Sequence, residues 1–250
     1  MDKKVIRCTL CHAMYSEEAS KYPSISDTGK IKNLIRKRFA RLIAENYFSH
    51  LKIKTTLQFK TALDVGAGFG SFVEILREHG INAEGIESDE KTVKNSKTNL
   101  TLGVFDENYP YKKYDLISIN QCLYYFNDCF SILKKVSELL SNEGILFIAT
   151  INPESTFRLE NKSWTQGSIV VLSEKNFASL SNLGLELVDV TSYDDNLYID
   201  YFLHKNNLLT TKIFFVRTLF YFLKLRKLTT NKQDGINNFY LLRKINNKMC

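Results

Sequence analysis

Proline, glycine and tryptophan are scarce in this sequence, and it has no long uninterrupted apolar run. With 3 Pro, 11 Gly and 1 Trp in 250 residues, and with 44% hydrophobic and 24% charged side chains, the composition excludes collagen-like, low-complexity and wholly disordered chains. A membrane-spanning helix needs roughly 18 or more apolar residues without charges. The most apolar stretch, residues 213–223, is broken by Arg217 and followed by Lys224. The 5 cysteines are odd in number and irregularly spaced, which does not suit a disulfide framework, and the opening Met1-Asp2-Lys3-Lys4 lacks the apolar stretch of a signal peptide. A reducing, cytoplasmic location is the resulting expectation. What remains is a globular chain of a size suited to one core with a short appendage.

Basic residues outnumber acids, for a formal net charge of +7, which taken alone points toward nucleic acid or an anionic surface. The distribution changes that reading. From Phe202 onward ten Lys and Arg face a single acid, Asp234, a net of +9, so the residues before it carry −2. The basic character belongs to the tail. No recognisable RNA- or DNA-binding module accompanies it or the basic stretch Arg36–Arg41, so nucleic acid is not expected as a partner.

Along the chain the first ~25 residues show no period and read as an irregular lead-in. From Asp27, a suitable N-cap, apolar residues recur at Ile31, Leu34, Ile35, Leu42, Ile43, Tyr47 and Leu51 with Lys and Arg between them, the pattern of a long amphipathic helix. Short apolar runs of strand length then follow at 61–65, 83–87, 100–104, 115–119 and 145–150, with helical stretches between most of them. Alternation at this spacing predicts βαβ units and a doubly wound, mostly parallel α/β sheet. A late helix near 173–180 leads to a strand at 185–190, and 239–245 supplies a last one. The expected organisation is a lead-in and helix over 1–58, a core over 59–193, a basic aromatic insertion over 194–236, and a final strand and tail over 237–250.

The most informative stretch is Ala62-Leu63-Asp64-Val65-Gly66-Ala67-Gly68-Phe69-Gly70-Ser71, an apolar strand running into three alternate glycines and then a helix over 72–79. Glycines allow a tight turn and close approach of backbone to ligand, and the helix start offers free N–H groups, so a nucleotide-like ligand is expected there. Glu87 ends the next strand 21 residues after Gly66, near the ~20 at which such folds place an acid on ribose hydroxyls. A dinucleotide fingerprint wants its third glycine at position 71, which is Ser71.

Asp64 two residues before Gly66, with glycines at 66, 68 and 70, resembles motif I of class I S-adenosylmethionine-dependent methyltransferases. Residues 103–128, a helix to Leu140, residues 141–155 and residues 171–190 follow the order of that family's later features, so the likeness covers about residues 60–192. The nearest likeness is to the group with an N-terminal Cys-x-x-Cys lead-in that modifies small molecules and sugars. The resemblance implies a Rossmann-like sheet of seven strands, the last antiparallel, and S-adenosylmethionine as cofactor. It implies that Asp64, Gly66, Ala67, Gly68 and Gly70 hold the methionine end, Glu87 the ribose, Phe105 or Asp106 the adenine, and that Asn120 sits beside the methionine moiety.

Where many relatives carry Glu-His after the fourth strand, this chain has Tyr124-Tyr125, so the usual candidate for a general base is missing. Tyr124, Tyr125 and Gln121 are candidate substrate-pocket residues, packing being their alternative role. Cys122 suits a small buried hydrophobe. His50 and His204 are the outside candidates for a base, and His79 before Gly80 suits a helix end. Cys8 and Cys11 have the spacing of half a zinc site, with His12 beside them, but no second pair follows, and no metal is expected. The apolar and basic residues 208–225 leave a lid, a dimer interface or a peripheral membrane contact open. The expected activity is methyl transfer to an oxygen, or less favourably a nitrogen, of a small metabolite or sugar-linked precursor, with an anionic phosphate- or phosphoramidate-type acceptor favoured by the missing His and with capsule or polysaccharide modification as one setting. The alternatives are a non-catalytic membrane-surface or anionic-polymer binder with the same fold, and an RNA methyltransferase.

Overall fold

The computed structural model describes residues 5–16, 30–56, 58–161, 168–194, 229–230 and 234–245. In chain order a hairpin, β1 (Val5–Arg7) and β2 (Met14–Ser16), precedes the long helix α1 (Lys30–Lys54). The alternating part then runs β3 (Thr61–Val65), α2 (Ser71–Glu78), β4 (Asn82–Glu87), α3 (Glu90–Asn95), β5 (Thr101–Leu102), β6 (Tyr114–Asn120), α4 (Cys129–Leu139) and β7 (Leu140–Ile151). After it come α5 (Thr156–Asn161), β8 (Val170–Val171), α6 (Glu174–Ala178), β9 (Leu185–Asp194), β10 (Thr229–Thr230) and β11 (Asn237–Lys244).

The main sheet has the order β10-β9-β11-β7-β6-β3-β4-β5. β3 pairs in parallel with β4 on one side and β6 on the other, β5 extends beyond β4, and β7 beyond β6. β11 inserts antiparallel between β7 and β9. The doubly wound sheet of seven strands with an antiparallel last strand is therefore present, and the two-residue β10 adds an eighth at the β9 edge. The chain winds outward from β3 first toward β5 and then toward β7. That reversal leaves a crevice beyond the carboxyl ends of β3 and β6, where open α/β sheets take their ligands.

Both sheet faces are covered, which explains the near-continuous apolar strands. The period of two sends Ile117, Ile119, Leu146 and Ile148 to a core shared with Leu133, Val136 and Phe177 of the helices α4 and α6. Leu116, Phe147 and Leu241 go to the opposite core, against Tyr47 and Leu51 of α1 and Phe72 and Leu76 of α2. On its outer side α1 carries Arg41, which forms ion pairs with Glu78, Glu74 and Glu45; exposed pairs of this kind add little. A cap does more for α4. The Asp128 carboxylate accepts from the N–H groups of Phe130 and Ser131, both at 3.0 Å. Asp128→Ala should lower the unfolding free energy by about 1 kcal/mol in urea titration, and no change would show that water replaces the cap.

The lead-in is a correction to the sequence reading. Residues 5–16 are not irregular: β1 pairs with β2, and β2 pairs with β8. Strands of three residues carry no measurable alternation, and the partner that completes the small sheet lies some 150 residues away. Asp27, His204 and residues 208–225 lie outside the described residues.

Candidate active site

The strand β3 ends in a loop whose glycines all take left-handed backbone, with φ of 69° at Gly66, 55° at Gly68 and 80° at Gly70. The N–H groups of Gly66 and Ala67 donate to the Ile86 carbonyl at 2.9 and 3.0 Å, tying the loop to β4. A Cβ on Gly66 would stand 2.5 Å from the Cys122 Sγ, and one on Gly70 2.7 Å from the Thr98 Cβ. A Cβ on Gly68 would meet no atom within 4 Å. The loop is thus packed at both ends and open in the middle.

Two carboxylates flank this opening. Glu87, at the end of β4 and 7% exposed, accepts through Oε2 from the Gly68 N–H at 2.9 Å and through Oε1 from the Asp89 N–H at 2.9 Å. Asp64, 2% exposed, accepts from Ser118 Oγ at 2.7 Å and Asn120 Nδ2 at 3.1 Å through Oδ1. Burial pushes the Asp64 carboxyl up to about 7 against the opposing pull of the Ser118 and Asn120 hydrogen bonds. Beside it Asn120 Oδ1 is buried with no partner among the described residues. A carboxylate and, on the amide bonded to it, an orphaned carbonyl oxygen, next to open glycine backbone, form an acceptor set that fits the ammonium of an amino acid moiety.

On the other side of Asn120 the chain turns sharply. Gln121 has a φ of 56°, held by its N–H donating to the Ala149 carbonyl at 2.7 Å. Its side chain spans two tyrosines: Nε2 donates to the Tyr193 hydroxyl at 2.9 Å, and the Tyr124 hydroxyl donates to Oε1 at 3.2 Å. Tyr193 bonds further to the Tyr47 hydroxyl at 3.1 Å and stacks on Phe239 at 3.9 Å. Tyr124 meets Tyr125 edge to face at 4.6 Å, and Met14, Ile151 and Val171 pack around the pair. Burial raises the pKa of Tyr125 and, with the field of Asp64, holds the Cys122 thiol protonated. Cys122 Sγ donates to the Val65 carbonyl at 3.1 Å.

A sequence match to the methyltransferase domain family spans residues 32–188, more than half of the chain. The chain belongs to this family. Among its structural neighbours, one from Archaeoglobus fulgidus is named as a SAM-dependent methyltransferase. The ubiquinone biosynthesis O-methyltransferase of Pelagibacter ubique is 28% identical over 163 residues, which are 56% of this chain and 67% of that one. Among solved structures, a possible histamine N-methyltransferase of Thermotoga maritima superposes with a TM-score of 0.58 at 17% identity, over 86% of this chain and 96% of its own. The plantazolicin methyltransferase solved with a monoazolic desmethyl analogue and S-adenosylhomocysteine gives a TM-score of 0.54 at 19% identity, over 86% of this chain and 87% of its own. These likenesses carry the fold.

Elsewhere in this methyltransferase the sequence-predicted residues are spread more widely. Phe105 is 3% exposed and packs against Tyr109 at 4.9 Å, in the core with Ile86, Ile119 and Leu123. Asp106 accepts from the Asn108 N–H at 2.8 Å and lines a cleft with Glu84, Ile86, Tyr109 and Tyr114. His50 sits on α1, stacked on Phe239 at 4.4 Å, with Nε2 4.0 Å from Asp189. Burial lowers it to about 4, so it is neutral at physiological pH. Asp189 lies four residues before Tyr193 on β9, which sets His50 back from the strand ends. His79 closes α2, its Nδ1 2.9 Å from the Ile75 carbonyl.

Three contributors were not singled out from the sequence. Ser118 pairs in register with Asp64 across β3 and β6, and a hydroxyl in the apolar run 116–119 was a readable signal. Tyr193 reaches Gln121 from β9 across 72 residues, Tyr47 of α1 bonds Tyr193 in turn, and nothing local marks either. Among the described residues no group of three or more metal-ligating side chains occurs, and no helix is long and apolar enough to cross a membrane.

Proposed function

We propose that this methyltransferase acts on an oxygen of a small metabolite or sugar-linked precursor, with nitrogen as the second choice. The observation that carries the reading is the division of the strand ends into two zones. On one side the Asp64 carboxylate and the partnerless Asn120 Oδ1 would hold the ammonium of the methionine moiety. Glu87, whose oxygens have lone pairs beyond those used by Gly68 and Asp89, would take the ribose hydroxyls. The backbone at Gly66–Gly70 would pack along the ligand, and Phe105 or Asp106 would border the adenine.

On the other side Gln121, Tyr124 and Tyr125 would form the wall that receives the acceptor. The donor supplies a methyl carbon activated by a positive sulfur, whose departure with the C–S electron pair needs no acid. The protein's work is then to align the acceptor lone pair with that carbon and to exclude water. None of the three wall residues takes a proton readily near neutral pH: an amide is not basic, a phenol titrates near ~10, and burial moves Tyr125 further up. This favours an acceptor already nucleophilic, such as a phosphate, phosphoramidate or carboxylate oxygen, or a free amine. The 28% identical relative named for O-methylation supports oxygen.

Calorimetric titration with S-adenosylmethionine tests the donor zone: Glu87→Ala should weaken binding by about tenfold, the loss of two charge-assisted hydrogen bonds. Unchanged affinity in that variant would remove Glu87 from the site. Labelled S-adenosylmethionine incubated with sugar phosphates, nucleotide sugars, amino-acid phosphates, simple amines and bulk RNA tests the acceptor. Label entering only the amines or the RNA would overturn the oxygen assignment.

A further inference from the structure

The turn between β1 and β2 holds two thiols that methyl transfer does not use. Cys8 and Cys11 are both partly exposed and unbridged. The turn closes tightly, with the Cys8 N–H donating to the Ala13 carbonyl at 2.9 Å and the His12 N–H to the Cys8 carbonyl at 3.0 Å, His12 standing at a φ of 60°. The turn brings Cys8 and Cys11 onto one loop, and hydrogen bonding from the Cys11 and Leu10 backbone and from the Cys11 side chain holds the Cys8 thiol below its usual pKa range. Both thiols stand on this one closed turn, three residues apart in sequence.

The neighbours argue against a metal as the purpose of this pair. Both nitrogens of His12 are engaged, Nδ1 with Glu154 Oε1 at 2.6 Å and Nε2 with Lys175 Nζ at 3.1 Å, and no third ligand joins the cysteines among the described residues. Two thiolates alone leave half of a tetrahedral site empty. Two adjacent thiols, one of them activated, are instead the reactants of disulfide exchange.

We propose that Cys8 and Cys11 are a redox-modification site, closed to an intramolecular disulfide by small-molecule disulfides of the glutathione type. The Cys8 thiolate attacks one sulfur of the small disulfide, forming a mixed disulfide and releasing one thiolate. The Cys11 thiolate then attacks the Cys8 sulfur, forming the Cys8–Cys11 bond and releasing the second thiolate. The two protein thiols are oxidised, the small disulfide is reduced to two thiols, and the two protons pass to those products.

The turn is wired to the acceptor wall. Ser173 Oγ donates to the Cys11 carbonyl, the Ser16 N–H to the Ile169 carbonyl at 3.0 Å, and the Ile169 N–H to the Tyr124 carbonyl at 2.8 Å. Met14 and Tyr124 share one buried cluster with Ile151 and Val171. A closed disulfide stiffens the hairpin that backs Tyr124.

The full chain, treated with glutathione disulfide, is then mapped by alkylation and peptide mass. The expected result is a loss of two hydrogens located to Cys8 and Cys11. Cys11→Ser should instead trap one glutathione on Cys8. Before oxidation Cys8 should alkylate at least about tenfold faster near pH 7 than Cys129, whose buried thiol is pushed up to about 12. Amide hydrogen exchange at Ser16 and Ile169 should slow about threefold or more in the oxidised protein. The proposal falls if Cys8 reacts no faster than Cys129, if the mapped bond joins Cys250, or if purified protein carries stoichiometric zinc that must be stripped before oxidation. Unchanged exchange at Ser16 and Ile169 would overturn the link to the acceptor wall.

Discussion

Replacing Asp64 by asparagine should weaken S-adenosylmethionine binding about a hundredfold near pH 7.5 and abolish the acid side of its pH dependence. Asp64 is buried under the glycine loop, its carboxyl pushed up to about 7 by desolvation, and the group proposed to face it is an ammonium. Breaking a buried pair by removing one charge costs about 3 kcal/mol, roughly a hundredfold in affinity. The pH profile gives a sharper test. The ammonium favours the ionised carboxylate, so below pH 7 binding must first expel a proton, and affinity should fall toward tenfold per pH unit. Above about 8 a free α-amino group loses its own proton, and affinity should fall again. Wild-type binding should therefore peak between pH 7 and 8, whereas Asp64→Asn should keep only the alkaline fall. A wild-type affinity flat from pH 5.5 to 7 would remove Asp64 from the ammonium site.

The same shift has a consequence for stability without ligand. The folded carboxyl titrates near 7 and an unfolded one near ~3.9, so the folded state binds more protons in between. Unfolding free energy contributed by this group should fall as pH rises from about 4 to 7, and the fall should be absent in Asp64→Asn.

Gly66→Ala is the second large effect. A left-handed φ costs a non-glycine residue about 1–3 kcal/mol, and the added methyl would lie 2.5 Å from the Cys122 Sγ, closer than atoms pack. The variant should lose several kcal/mol of stability and all measurable cofactor binding. Gly68→Ala is the control: its φ of 55° is similar, but no protein atom lies within 4 Å of the added group. It should lower stability by only about 1–3 kcal/mol while also losing the cofactor, because the methyl occupies the open centre of the loop. Adding Cys122→Ala should recover part of the stability of Gly66→Ala. Equal destabilisation by the two glycine variants in denaturant titration would overturn the packing argument.

Much of the core was legible because its determinants are local. The run at 61–65, the glycines behind it and Glu87 at the end of the next apolar run needed only periodicity and spacing, and β3, the loop and β4 stand where these put them. The strand at 100–104 shortened to Thr101–Leu102, and the one at 145–150 grew to Leu140–Ile151. At edges and ends the neighbouring strand, not the local sequence, decides how far pairing runs.

By itself the sequence determined the class of fold, the glycine loop and the two carboxylates beside it, because strand period, glycine conformation and acid spacing act over a few residues. Tertiary structure alone decided the rest. It placed β11 between β7 and β9, made a hairpin of the lead-in by pairing it with β8, and withdrew His50 into the packing of α1. It also joined Gln121 to Tyr193 and Tyr47. Each depends on groups more than 40 residues apart, whose meeting is fixed by burial of whole sheet faces and by satisfaction of buried polar groups, and neither leaves a mark in any short stretch of chain.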